Sequence, residues 1–166
     1  GQEPWIVINE LKRDFQVEQV NMDVEQIDEK IKVLVVVHPK DITDKAQYAI
    51  DQFVLRGGKL IAFLDPLCLV DNRQPNPMGF NMGGGSTLPK LLKAWGLEFE
   101  SSKVIADPTF ATRPLQGRDG RPQIVPSFLF LNPEAINKDD AVTSQSDDIW
   151  FPFPGAFTGK AVDGLK

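Results

Sequence analysis

The pattern of apolar and polar residues predicts one complete strand–helix–strand unit in the first half of the chain. Val33–Val37 is an unbroken apolar run, mostly β-branched, which is typical of a strand buried on both faces. Thr43 is a suitable N-cap, and the apolar residues after it recur at the spacing of one helical face: Ala46, Ala49, Ile50, Phe53 and Val54. The helix should end at Gly57-Gly58, before a second strand at Lys59–Leu64. Two strands joined by one helix are expected to lie parallel, with a right-handed crossover.

The segments before this unit show weaker periodicity. Apolar residues at near-helical spacing predict an amphipathic helix over Pro4–Asp14, with a strand over Trp5–Ile8 as the alternative. The imperfect alternation of Gln16–Met22 favours a short edge strand. Asp23–Lys30 is polar and acidic, and we expect a loop or a short helical turn there.

After the unit, Asp65–Gly85 is rich in Pro, Asn, Met and Gly, a composition that predicts a long loop. Ser86-Thr87 can cap a second helix, whose apolar face repeats at helical spacing before Gly96: Leu88, Leu91, Leu92 and Trp95. Further strands are predicted at Leu97–Glu100, Lys103–Ala106 and Ile124–Leu131. The prolines within Trp150–Phe157 argue against a central strand there.

Composition narrows the classes of protein that fit. At 166 residues with 42% hydrophobic residues, the chain suits a single domain over residues 1–166. The net charge is −5 and Lys and Arg are not clustered, so nucleic acid is not an expected partner. The lone Cys68 excludes an internal disulfide and a multi-cysteine metal site. No apolar run approaches the roughly 20 residues of a membrane helix.

Four apolar runs end in a polar residue followed by proline, at His38, Asp65, Asp107 and Asn132. Ligands of open parallel sheets bind beyond the carboxyl ends of the strands, so these four side chains are the predicted ligand-binding residues. Asp71–Gly85 is then a candidate lid. The alternative is that proline stops each strand and the polar residue only caps its end. His38 has no second histidine at ligand spacing, so we expect no metal and no cofactor.

Three other features have a functional and a structural interpretation. Gly83–Gly85 before a capped helix suits an anion, but it matches no phosphate-binding motif, and a flexible loop is the alternative. Cys68 follows a strand as an elbow nucleophile does, yet Leu67 and Leu69 replace the small residues of such an elbow, which favours a structural thiol. The aromatic residues of Trp150–Phe157 suit either a binding face or packing.

Several segments together resemble the extracytoplasmic domain of GldG-type auxiliary components of ABC transporters, first associated with gliding motility. The resembling segments span most of the chain: PWIVINELKRDF, VLVVVHPKDI, YAIDQFVLRGGKLIAFLDP, LLKAWGLEF, VIADP and FLFLNPEAINKDDAVTSQ. The resemblance implies a three-layer α/β fold with a mostly parallel sheet, similar to flavodoxin-like or class I glutamine amidotransferase-like domains. It also implies a periplasmic or outer-surface position, membrane anchors elsewhere in a longer protein, and ABC transporter permease and ATPase subunits as partners.

In that family a further strand and domain precede the PWIVINEL-like helix, so we expect this chain to be a fragment whose open sheet edge a second copy could complete. The family supplies no catalytic residues, and the amidotransferase elbow is missing. The expected function is therefore a non-catalytic binding or interaction domain of an ABC-type transport auxiliary component, with a small molecule as a candidate ligand. The alternatives are a small-molecule or glycan-binding domain independent of a transporter, a pure protein-interaction module, and a degenerate amidotransferase-like enzyme using Cys68 and His38.

Overall fold

The computed structural model describes residues 5–69, 84–111, 115–116 and 121–165. Three helices and eight short strands follow one another in these ranges. In chain order they are α1 (Ile6–Asp14), β1 (Val33–Val37), α2 (Asp44–Leu55), β2 (Lys59–Phe63), α3 (Pro89–Ala94), β3 (Leu97–Phe99), β4 (Leu115–Gln116), β5 (Pro122–Gln123), β6 (Phe128–Leu131), β7 (Ile149–Pro152) and β8 (Phe157–Gly159).

The strand–helix–strand unit predicted from the sequence is confirmed. β1 and β2 pair in parallel, in a register that runs from Val33 opposite Lys59 to Val37 opposite Phe63. α2 connects the two strands, and its N-cap is Thr43, whose Oγ1 accepts a hydrogen bond from the backbone N–H of Ala46 at 3.1 Å. This cap satisfies one of the N–H groups that the first helical turn leaves without a partner.

α2 ends at the double glycine for the reason that the sequence suggests. Gly57 has φ +96°, a conformation that glycine adopts without steric cost. Its N–H donates to the carbonyl of Val54, and the N–H of Gly58 donates to the carbonyl of Phe53, both at 2.9 Å. These two bonds form a Schellman motif, which turns the chain back toward β2. A Cβ at Gly58 would overlap the ring of Phe53, so this close approach also requires glycine.

The hydrophobic core lies between the β1–β2 pair and the helices α2 and α3. Phe53 lies in this core with no solvent exposure, and Gln47 is a buried polar residue on the same helix. The buried core residues are Ile27, Leu34, Val36, Ala49, Ile50, Phe53, Leu88, Leu91 and Leu92. Arg56 connects the loop before β1 to this core. Its guanidinium donates to the carbonyl of Ile27 at 2.5 Å and lies 5.3 Å from the centroid of the Phe53 ring.

The predicted three-layer, mostly parallel sheet is wrong. In the described part of the chain the parallel sheet has only two strands, and the other strands form antiparallel pairs: β3 with β8, β4 with β5, and β6 with β7. A parallel strand needs a long crossover, usually a helix. In the described residues after α3, turns and irregular segments separate the strands, and no further helix is present to serve as a crossover. A flavodoxin-like or amidotransferase-like sheet is therefore not formed here.

The prediction that β1 is buried on both faces is also wrong. Its residues alternate between exposed and buried, and Val35 is 46% exposed. β2 continues the same exposed face, where Phe63 is 56% exposed. The reason is that α2 and α3 cover one face of the pair, while α1 buries none of its own residues. An apolar run of this kind indicates a strand, but it does not indicate how many faces of that strand other elements cover.

The remaining element predictions have mixed outcomes. The helix near the N-terminus is confirmed as α1, so the alternative strand over Trp5–Ile8 is wrong. The predicted strands at Gln16–Met22 and Lys103–Ala106 are irregular segments, and only Phe128–Leu131 of the third predicted strand is extended and paired. The helix before Gly96 is confirmed as α3, but its N-cap is Leu88 without a side-chain cap, so the predicted cap at Ser86-Thr87 is wrong.

Candidate functional site

His38 and Asp65 leave the parallel pair at the same edge. The N–H of His38 donates to the carbonyl of Phe63 at 2.9 Å, which extends the β1–β2 ladder by one residue beyond Val37. Asp65 lies two positions beyond Phe63, the last residue of the neighbouring strand β2. The two side chains meet there, with His38 Nδ1 3.3 Å from a carboxylate oxygen of Asp65. The parallel register thus brings together the first two of the four predicted site residues.

The backbone at His38 has an uncommon conformation. Its φ of +47° lies in the left-handed region, which non-glycine residues adopt rarely because Cβ approaches the backbone carbonyl. Pro39 follows directly and is fully buried. The turn after β1 is therefore held by packing in a conformation that directs the His38 ring toward Asp65.

The backbone of Asp65 is braced by the segment before α3. Ser86 is buried, its N–H donates to the carbonyl of Asp65 at 2.7 Å, and its Oγ accepts from the N–H of Asp65 at 3.0 Å. Gly85 packs so closely that an added Cβ would lie 2.7 Å from the carbonyl oxygen of Ser101 and 3.0 Å from that of Pro66. These contacts fix where the chain turns after β2.

Cys68 joins the His38–Asp65 pair. One potential ligand atom from each side chain, nitrogen, oxygen and sulfur, lies within 4.8 Å of the other two. We refer to His38, Asp65 and Cys68 as the rim cluster. Cys68 was not among the predicted site residues, although a signal was present. Asp-Pro-Leu-Cys places two residues between carboxylate and thiol, a spacing also found between pairs of ligands in metal-binding turns. Cys68 and His38 thus lie within 4.8 Å of each other, whereas the amidotransferase-like alternative requires these two side chains to be within hydrogen-bond reach.

Asp107 and Asn132 each make a local turn contact. Asp107 Oδ1 accepts a hydrogen bond from the N–H of Thr109 at 2.7 Å, and Asn132 Oδ1 accepts one from the N–H of Glu134 at 3.0 Å. Both contacts are those of Asx turns, in which the side chain shapes its own loop. They agree with the capping alternative for these two positions, and their part in ligand binding stays a prediction.

Most of the predicted lid, residues 71–83, lies outside the described residues, and so does Gly83 of the predicted anion-binding glycines.

A groove of about 510 Å³ lies elsewhere in the fold. It runs along β3 and residues 103–105, and Phe99 and Ile105 are among its lining residues. Neither His38 nor Asp65 lines this groove.

The aromatic residues near the C-terminus combine packing and exposure. Trp150 packs edge-on against Phe128 and Phe130, with ring centroids 6.2 and 5.8 Å apart. Trp150 and Phe157 nevertheless remain more than half exposed. Packing is thus confirmed for Trp150, whose ring contacts stabilise the β6–β7 pair, and a binding role for the exposed apolar surface stays a prediction.

Some exposed surface groups have a shifted pKa because of a neighbouring hydrogen bond. A hydrogen bond from Lys45 Nζ at 2.5 Å lowers the pKa of the Glu25 carboxyl, and the same contact raises the pKa of Lys45. Hydrogen bonds from Ser102 lower the pKa of Glu100. Exposed pairs of this kind contribute little to stability.

Comparison with known proteins supplies the family. A sequence model of the family described as "ABC-type uncharacterized transport system" matches residues 1–166, the whole chain. The chain belongs to this family. It is therefore an auxiliary component of an ABC-type transport system, and it associates with such a system. This ABC-type auxiliary component matched no curated protein and no solved structure. The match to this family does not distinguish the GldG type, so the GldG-type assignment stays a prediction.

Within the described ranges, this auxiliary component contains no helix that is both long enough and apolar enough to cross a bilayer.

Proposed function

We propose that this domain is a non-catalytic, extracytoplasmic binding domain of its ABC-type transport system, of the gliding-motility type. The observation that carries the proposal is the meeting of His38 and Asp65 at the carboxyl edge of the parallel pair, 3.3 Å apart. Ligands of open parallel sheets bind beyond the carboxyl ends of the strands, and the two-stranded β1–β2 pair presents such an edge. The two residues form the centre of the proposed site, and Asp107 and Asn132 are its predicted outer contacts.

Two features of Cys68 support a non-catalytic role. The residue is only 9% exposed, whereas reactive thiols lie in partially exposed, electropositive surroundings. Its neighbours Leu67 and Leu69 are also larger than the residues of a nucleophile elbow. A degenerate amidotransferase-like activity is therefore the weaker interpretation of the same three side chains.

The proposed position is periplasmic or on the outer surface, with membrane anchors in the full-length protein. There the domain would work with the permease and ATPase subunits of its transport system. Family membership supports the partnership in general terms. The extracytoplasmic position and the gliding-motility type rest on the resemblance of segments such as YAIDQFVLRGGKLIAFLDP.

A thermal-shift screen of the purified chain against sugars, oligosaccharides and amino acids tests the binding proposal. A ligand present at 100 times its dissociation constant adds about 2.7 kcal/mol to stability, which corresponds to a rise in melting temperature of about 5–10 °C for a chain of this size. We expect Asp65→Ala and Asp107→Ala to abolish the shift given by any hit.

Asp139→Ala is the matched control, because Asp139 is exposed and was not predicted to bind ligand. It should leave the ligand-induced shift unchanged. A hit whose shift is the same in Asp65→Ala and Asp107→Ala as in the unaltered protein would refute the proposed site.

Protein docking alone is a second candidate function, favoured by the exposed apolar side chains of Trp150 and Phe157. Its partner would be the permease subunit of the same transport system. In a pull-down with detergent-solubilised permease, Trp150→Ala should reduce capture of the permease, and Val142→Ala, at another exposed apolar residue, should not. Equal capture by both variants would remove this candidate.

A further inference from the structure

We propose that the rim cluster of His38, Asp65 and Cys68 binds one divalent transition-metal ion with the ligand preferences of Zn²⁺. This inference rests on the proposed function, since it names the class of ligand at the same edge of the sheet. It does not follow from the sequence prediction, which expected no metal. The observation behind it is the close approach of three different donor atoms, all within 4.8 Å of one another.

The distances suit a tetrahedral ion. Zinc–ligand bonds of 2.0–2.3 Å place any two ligands of a tetrahedral site about 3.3–3.8 Å apart. His38 Nδ1 and the Asp65 carboxylate are 3.3 Å apart and already match this separation. Cys68 Sγ lies no more than 4.8 Å from the chosen donor atoms, so a movement of about 1 Å completes the set.

The three donors come from a part of the fold whose positions are fixed. His38 continues the β1–β2 ladder through its hydrogen bond to Phe63, and buried Ser86 holds both backbone polar groups of Asp65. Cys68 follows within the same turn and is itself buried. A site with two donors already in place loses less conformational entropy on binding than one that must fold around the ion.

The chemistry of the donors selects the class of ion. Imidazole nitrogen, carboxylate oxygen and thiolate sulfur together suit Zn²⁺ or Co²⁺, whereas Mg²⁺ and Ca²⁺ require mostly oxygen ligands. Binding requires the Cys68 thiolate, so the thiol proton passes to the solvent as the sulfur–metal bond forms. Three protein ligands leave a fourth position open for water or for an anionic group of a transported molecule.

An ion at the rim cluster does not require a large cleft. Organic ligands usually occupy clefts of about 300–1,000 Å³. The groove of about 510 Å³ described above is lined by residues such as Glu98 and Lys103, and the rim cluster is not part of it. An ion needs no such volume, only donors at the correct separation.

Titration of the metal-free, reduced protein with zinc chloride by calorimetry, and with cobalt chloride by absorption spectroscopy, tests the proposal. We expect one ion per chain and, with Co²⁺, a near-ultraviolet band that arises only from sulfur-to-metal charge transfer. His38→Asn, Asp65→Asn and Cys68→Ser should each weaken zinc binding more than about 100-fold, since even residues that only orient metal ligands contribute 10–100-fold. Cys68→Ser should also abolish the charge-transfer band.

The substitutions are chosen to preserve the fold. Asparagine tolerates the positive φ at position 38, and serine is nearly isosteric with the buried cysteine. Urea unfolding of each metal-free variant checks this, and only variants that unfold like the unaltered protein are compared. Asp139→Asn is the control for the metal site, because Asp139 is exposed and lies outside the proposed site, and it should bind zinc normally. The proposal is overturned if the unaltered protein gives no binding heat and no charge-transfer band, or if Cys68→Ser keeps the original zinc affinity.

The same variants separate this inference from the proposed function. If an organic compound binds in a way that depends on Asp65 and Asp107, and zinc does not bind, the metal site is overturned but the proposed binding function is not. Zinc binding that is lost in the three rim-cluster variants, without any hit that depends on Asp107, supports the metal site and contradicts the four-residue cleft.

Discussion

Phe53→Ala is expected to lower the free energy of unfolding by about 3–5 kcal/mol, the usual cost of removing a buried phenylalanine ring. Phe53 has no solvent exposure, and its ring fills the space between α2, the β1–β2 pair and Gly58. The substitution leaves a cavity and also removes the ring beneath the Arg56 guanidinium. Urea unfolding followed by far-ultraviolet circular dichroism measures the change.

Leu55→Ala is the matched control, because Leu55 lies two positions later on the same helix and is 70% exposed. Leucine and alanine have similar helix propensities, so the expected change is within about 0.5 kcal/mol. If the two substitutions destabilised the protein equally, the core would not be organised around α2 as the structure places it.

The strand–helix–strand unit was predictable because its signals are local. The Thr43 cap, the helical spacing of the apolar residues and the double glycine each act within a few residues of their own position. Together they determine the direction of β2 relative to β1, since a strand pair joined by one helix lies parallel. The meeting of His38 and Asp65 follows from that direction and from the register.

The packing of other elements against the strands was not predictable from local sequence signals. Whether a strand has one covered face or two depends on which distant segments pack against it, and an apolar run such as Val33–Val37 is compatible with both outcomes. The later strands are short, and their pairing depends on contacts far apart in sequence, as between β3 and β8. The resemblance to auxiliary components of ABC transporters correctly identified an ABC-type transport system, but the three-layer fold that it implied is wrong.

The predicted site residues also divide into those that make local turn contacts and those that meet a residue distant in sequence. Asp107 and Asn132 were grouped with His38 and Asp65 because all four precede proline after an apolar run. Such a motif also arises wherever a side chain shapes its own turn, and the structure gives both residues that local contact. Cys68 was set aside because it lacks an elbow, although its position three residues after Asp65 was visible in the sequence.

The N-terminus of α3 shows most clearly how a residue distant in sequence determines a local contact. The sequence offers Ser86 and Thr87 just before the helix, but the buried Oγ of Ser86 accepts from Asp65 instead. The acceptor for α3 comes from α2: Gln47 Oε1 receives hydrogen bonds from the N–H groups of Lys90 and Leu91, at 3.0 and 3.3 Å. No periodicity or cap motif near Pro89 could have indicated a partner more than 40 positions away.

Gln47→Met should therefore destabilise the protein by about 2–4 kcal/mol, because it keeps the size of the side chain but removes an acceptor shared by two helical N–H groups. Gln47 is buried, so water cannot easily replace the lost bonds. Besides the urea midpoint, hydrogen exchange at the Leu91 amide should accelerate strongly. Gln52→Met, whose amide donates only to neighbouring Asp51 in the described contacts, should change stability by less than about 0.5 kcal/mol. A Gln47 variant as stable as the Gln52 variant would mean that α3 is held by its apolar face alone, and that the bond between the two helices contributes nothing to their packing.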